Sequence, residues 1–170
     1  STDHVETMAS MFSGCSNIGT LNISGFNTPK VQSMSGMFKG CSGIKELVLT
    51  NFDTSNVTKM DGMFSTCEGL ELLNISSFRT SKVSDMYAMF STCRKLRSID
   101  LSTFDTGRVT DMEMIFAFCD ELENIDLTGF NTGNALRMGS MFRNCPKLKN
   151  LDLSGFDMAL VSAVPDLAFT

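Results

Sequence analysis

This 170-residue sequence has no tryptophan, one tyrosine and one histidine, and each shortage closes off a kind of function. Most general acid–base and metal chemistry draws on histidine, so we expect no enzyme and no cofactor. Lysine and arginine number 14 against 19 acidic residues, a net charge of −5, and no basic block occurs anywhere. A partner held through phosphates needs clustered cations; nucleic acid and anionic membrane surfaces are therefore poor candidates. No apolar run reaches the length of a transmembrane helix, so direct membrane insertion is not expected. The opening STDHVETM has no basic segment leading into an apolar one, and any export signal is expected outside this stretch. What remains is the composition of a single soluble domain, 42% apolar and 19% charged.

What the sequence does have is a period. The six cysteines, Cys15, Cys41, Cys67, Cys93, Cys119 and Cys145, fall 26 residues apart without exception. Two phenylalanine columns keep the same stride, one from Phe12 to Phe142 and one from Phe26 to Phe156, as does a methionine column from Met8 to Met138. Aligned, the unit reads V-x-x-M-x-x-M-F-x-x-C-x-x-L-x-x-L-x-L-[ST]-x-F-[DN]-T. Val57, Met60, Met63 and Phe64 have the spacing of one face of a short helix, and Leu73 and Ile75 alternate as in a short strand. One such unit cannot bury its apolar face, whereas stacked units can. The pattern therefore predicts an α/β solenoid of about six repeats, in register from about residue 5 to 161. It is a single domain over 1–170, with 162–170 a decayed last repeat or cap. Val164 stands in the Met slot there and Pro165 would interrupt a helix. Starting in mid-repeat, the chain reads as a fragment of a longer protein.

The segment L-x-x-L-x-L in a 26-residue unit resembles a leucine-rich repeat. The fuller phrase MFSGCSNIGTLNISGFNT, echoed as MFKGCSGIKELVLTNFDTSNVTKM, is similar to the BspA-like repeats of bacterial surface proteins, which also occur in mycoplasma lipoproteins. The resemblance implies a right-handed superhelix with a parallel concave β-sheet and short convex helices. It further implies an extracellular or cell-surface location and adhesive binding. The match has one departure: where ordinary leucine-rich repeats place a backbone-bonding Asn or Cys, every copy here has Phe, leaving the following Asp/Asn-Thr pair to take over part of that duty.

The cysteines admit three readings. Equivalent residues of a solenoid sit about 4.8 Å apart, which a disulfide tolerates, but their Cβ atoms point the same way instead of at each other. Zinc needs four convergent ligands, and these form a line. Cysteine is among the most buried residue types, so a structural ladder is expected ahead of disulfides, with metal or catalysis last. The methionine columns read as core for the same reason.

Function must then live where the repeat varies. Flanking each L-x-L on the concave strands are Thr20, Glu46, Leu72, Ser98, Asn124 and Asn150, and beside them Asn22, Val48, Asn74, Asp100, Asp126 and Asp152. Those last three aspartates would stand in a row, and like charges opposite one another destabilise a sheet. Compensation could come from raised carboxylate pKa values, neighbouring Asn side chains, a bound cation or a basic partner. These twelve positions are the candidate surface for a protein or glycan, on a monomer or a weak end-to-end assembly. Two rivals stay open: a spacer array with no ligand of its own, and a calcium-dependent solenoid acting on polysaccharide.

Overall fold

The computed structural model describes residues 1–161, and the expected irregularities at Val164 and Pro165 lie outside them. Six coils stack in register, beginning at Val5, Val31, Val57, Val83, Val109 and Ala135. On one side, β1 (Glu46–Val48) pairs in parallel with β2 (Leu72–Asn74), Leu47 opposite Leu73. The sheet is shorter than expected: coils 5 and 6 contribute only an isolated parallel bridge, Asn124 to Asn150. A longer line of parallel bridges runs elsewhere on the coil, from Thr7 through Ser33, Lys59, Asp85 and Asp111 to Arg137. It marks the residue just before each methionine of the first Met column.

The convex helices do not form. Among the described residues there is no helix at all, and the V-x-x-M-x-x-M-F segment is a chain of turns. The reason lies in where its N–H groups go. In coil 2, Met34, Gly36, Phe38 and Gly40 donate to carbonyls of coil 3 at 2.8–3.0 Å, while Met37, Lys39 and Cys41 donate three residues back. An α-helix sends every N–H four residues back; here alternate groups leave the segment and stitch it to the next coil. That trace requires two residues per coil in the left-handed region, four apart. They are Gly36 and Gly40 in coil 2, Gly62 and Thr66 in coil 3, Ala88 and Thr92 in coil 4, and Met114 and Phe118 in coil 5. A non-glycine residue held there loses roughly 1 kcal/mol, which the ladder to the next coil offsets.

The inward columns form one continuous core. Met34, Met60, Met86 and Met112 are buried, as are Phe38, Phe64, Phe90 and Phe116. Rings of the first Phe column stack coil on coil, with centroids 5.6–5.7 Å apart from Phe12 to Phe142. Between coils, two side-chain ladders serve the backbone. Thr28, Thr54, Thr80, Thr106 and Thr132 are buried. Each donates its hydroxyl to a carbonyl of the next coil at 2.9–3.0 Å and accepts the N–H of that same residue at 2.7–2.9 Å. The cysteine thiols form the other: Cys41, Cys67, Cys93, Cys119 and Cys145 each donate to a Phe carbonyl of the preceding coil at 3.1–3.3 Å. All six are free thiols, with Cys15 and Cys145 of the end coils half-buried. Burial pushes the Cys67 thiol up to about 12 and Cys93 well above its ordinary value, so both are protonated donors and poor nucleophiles.

Candidate binding face

The residues that vary on the sheet side follow from the strand period: Leu47 and Leu73 point into the core, so Glu46, Val48 and Leu72 point out. Of the twelve candidate positions, Thr20, Asn22, Glu46, Val48, Leu72, Ser98, Asp100, Asn124, Asp126, Asn150 and Asp152 are exposed and Asn74 is half-buried. They share one side of the stack in two columns, with two large apolar side chains among them: Val48 at 46% exposure and Leu72 at 49%. The polar members divide by coil, with carboxylates confined to coils 4 to 6 in the second column.

The aspartate row is compensated locally. Asp100 accepts the Ser102 N–H at 2.9 Å, Asp126 accepts the Thr128 N–H at 3.0 Å and hydroxyl at 2.8 Å, and Asp152 accepts the Ser154 N–H at 2.9 Å. Asn22 and Asn74 make the same turn with Ser24 and Ser76. Hydrogen bonds to a carboxylate favour its charged form, and those from Ser102, Thr128 and Ser154 hold all three aspartates below the ordinary carboxylate range. Raised pKa values are thus not the device used; the three remain fixed negative charges, each with its turn to hold. Among the described residues no group of three or more His, Cys, Asp or Glu side chains is placed to hold a metal ion.

Two shallow grooves cross this face. One, of about 740 Å³, spans coils 1 and 2 and includes Thr20, Asn22, Glu46 and Val48. The other, of about 660 Å³, is lined by Glu71, Leu72, Lys95, Arg97 and Glu121. Four of those five were missed from the sequence, although a signal exists: one column reads Lys45, Glu71, Arg97, Glu123 and Lys149, alternating in sign at the repeat stride. The alternation is used at its end, where Lys149 meets Glu123 at 2.7 Å and pulls that carboxyl below its usual range. At Leu72 the backbone pairing of β2 stops, since its bridges run only to β1.

A family model described as Mycoplasma protein of unknown function, DUF285, matches residues 1–72 and 68–168. No curated protein matches the chain. Among solved structures, a leucine-rich-repeat protein from Bacteroides ovatus is 23% identical, with a TM-score of 0.52 over 86% of this chain and 46% of that one. A leucine-rich-repeat protein from Eubacterium ventriosum is 18% identical, TM-score 0.47, over 75% of this chain and 31% of its own. A leucine-rich cell-surface protein from Faecalibacterium prausnitzii is 18% identical, TM-score 0.41, over 68% and 34%. The chain spans less than half the length of each. The fold is that of a leucine-rich-repeat solenoid, in agreement with the repeat read from the sequence.

Proposed function

We propose, from the premise that this chain belongs to the DUF285 family of mycoplasma proteins, that it is a non-enzymatic binding module of a cell-surface protein and that its sheet side takes up a protein partner. The observation that carries this reading is the pairing, on one exposed face, of unburied Val48 and Leu72 with three carboxylates held ionised at Asp100, Asp126 and Asp152. The repeated positions are consumed by the core and the ladders; these are not. Large apolar side chains beside fixed charge suit a partner that brings apolar anchors and a basic stretch. A protein offers both.

Purified host-surface and serum proteins, offered one at a time to the immobilised chain, test this. Binding by at least one is expected to weaken with salt, to fall in Leu72→Ser, and to lose much of its salt dependence in the triple variant Asp100→Asn, Asp126→Asn, Asp152→Asn. An affinity unmoved by both variants would overturn the reading.

A further inference from the structure

The flank built by the two Met columns carries a third groove, away from the sheet, of about 350 Å³. Its floor is set by the first left-handed position of each coil, where Gly36, Gly62 and Ala88 shrink the side chain. Along one wall stand Ser35, Asp61 and Tyr87, and along the other Lys39, Ser65 and Ser91, so each coil contributes one polar or aromatic group per side. Small residues alone would signify only close packing. Ser65 says more: it is 8% exposed, it lines this groove, and its hydroxyl has no hydrogen-bond partner among the described residues. Every fully occluded polar side-chain atom among the described residues has a partner, so this hydroxyl keeps its sliver of accessibility on the groove side. Ser91, at 5% exposure, reaches only a neighbouring Thr92 hydroxyl at 3.4 Å. Open to the groove on that side only, the Ser65 hydroxyl is free to bond whatever fills it.

We propose that this groove binds a neutral, extended β-1,4-linked glycan, laid along the stack across coils 2 to 4. The charges on the walls, Lys39 and Asp61, cancel, so the groove selects neither a polyanion nor a polycation. The Ser35 hydroxyl is given to Asp61 Oδ1, which leaves the second Asp61 oxygen, the Lys39 ammonium and the Ser65 hydroxyl to match the rim of a sugar. The Tyr87 ring, 42% exposed and reaching along the stack until its hydroxyl lies 3.8 Å from Met114 Sδ of coil 5, matches the apolar face of a pyranose. A β-1,4-linked glycan advances by roughly one coil spacing of about 4.8 Å per sugar and turns each sugar over relative to the last, so one sugar falls at each coil, with its edges alternating between the two walls. An extended peptide fits less well. The N–H groups of Gly36, Gly62 and Ala88 are already given to Asp61, Tyr87 and Glu113 at 2.7–2.9 Å, leaving no main-chain edge to pair with.

With no tryptophan and a single tyrosine in the sequence, tyrosine emission reports on the groove alone. Titration with cellohexaose, chitohexaose and mannohexaose is expected to give a saturable change with at least one of them. Ser65→Ala should weaken it about five-fold, and Tyr87→Ala, followed by calorimetry, at least ten-fold. The triple Asp→Asn variant of the sheet face should leave it unchanged, which separates this site from the protein-binding face. Three results would overturn the proposal: no response to any of the three sugars, calorimetric binding that survives Tyr87→Ala and Ser65→Ala together, or a saturable response to oligolysine in place of the sugars.

Discussion

Coils 2 and 3 and coils 4 and 5 follow one repeat, yet they are closed by different means. In the first pair, glycine occupies three of the four left-handed positions, at Gly36, Gly40 and Gly62. Gly43 and Gly69 bring the turn after the cysteine hard against the preceding coil, and β1 pairs with β2. Among the described residues, no ion pair links coils 1 to 3 to one another. In the second pair, Ala88, Thr92, Met114 and Phe118 take up the left-handed conformation, the glycine column becomes Lys95 and Glu121, and among the described residues no strand of the length of β1 forms. Side chains bridge the coils instead: Arg94 to Asp120 at 2.8 Å and to Glu68 at 3.7 Å, Lys147 to Glu121 at 2.7 Å, and Arg137 to buried Asp111. Surface pairs of this kind are worth little one by one. The lesson is that the Met, Phe, Thr and Cys columns dictate the trace, and the remaining positions decide only how the trace is sealed.

That contrast is most easily broken at Gly69. A Cβ there would stand 2.3 Å from the Ser42 carbonyl oxygen, which is backbone and cannot swing away. Gly69→Ala should cost about 2–3 kcal/mol by urea unfolding, whereas Lys95→Ala in the same column of coil 4 should stay within about 0.5 kcal/mol. Equal effects would mean that the two turns do not differ. The next largest effect tests what the halves share. Thr54→Val and Thr106→Val each remove a hydroxyl that donates to and accepts from one residue of the next coil. Each should cost about 1–2 kcal/mol, and by similar amounts, because the ladder does not change between halves.

A smaller effect, opposite in sign between the halves, is expected at the left-handed positions. The space around Gly62 is open, with nothing nearer its missing Cβ than 3.8 Å, so Gly62→Ala isolates the backbone term and should destabilise by about 0.5–1 kcal/mol. Thr92→Gly should stabilise by a similar amount, reduced by the extra freedom glycine gives the unfolded chain. Thermal unfolding of the two variants decides it.

These positions also show why the sequence disclosed the architecture but not its local form. Six unbroken copies made the stacking and the inward columns plain. The 3-3-1 spacing of Val, Met, Met and Phe fits a helix face, and it fits equally a chain of turns that closes every third residue. Gly36, Gly40 and Gly62 inside the supposed helix were the contrary signal, masked by Thr, Ala, Met and Phe in later copies. The aspartate row was legible only in part, since the raised pKa values offered as one form of compensation are replaced by lowered ones. Asp-x-Ser and Asp-x-Thr at 100, 126 and 152 already spell a side-chain-to-backbone turn, but a column read across coils hides what each residue does along its own chain. The Thr ladder was partly visible in the Asp/Asn-Thr pair, and the charges at stride 26 were visible without their pairing. The flank groove was not legible, since it depends on left-handed residues that place walls three positions apart around a small floor.

The smallest effect sets two acidic populations of coil 4 against each other. Asp100, on the sheet side, is held low by Ser102, so the stability it contributes is present above the ordinary carboxylate range and is lost as pH falls through its lowered pKa. Asp85, on the bridged flank, is shifted the other way. Burial raises it first, Asp61 and Asp111 add to the rise, and the Tyr87 N–H and Lys59 oppose it. A raised folded-state pKa contributes stability that is fully present below the unfolded value and is lost as pH rises through the folded one, so at pH 7 the Asp85 charge works against the fold. Asp85→Asn keeps an acceptor for the Tyr87 N–H, which now bonds Asp85 at 3.0 Å. It should raise stability at pH 7 by less than about 1 kcal/mol. The gain should vanish near pH 3, where Asp85 is already neutral in both states. Asp100→Asn should show no gain at pH 7, and its difference from the unmodified chain should shrink as acid removes the Asp100 charge. A melting temperature that moves identically with pH in the two variants would mean that coil 4 presents the same electrostatic environment on both of its sides.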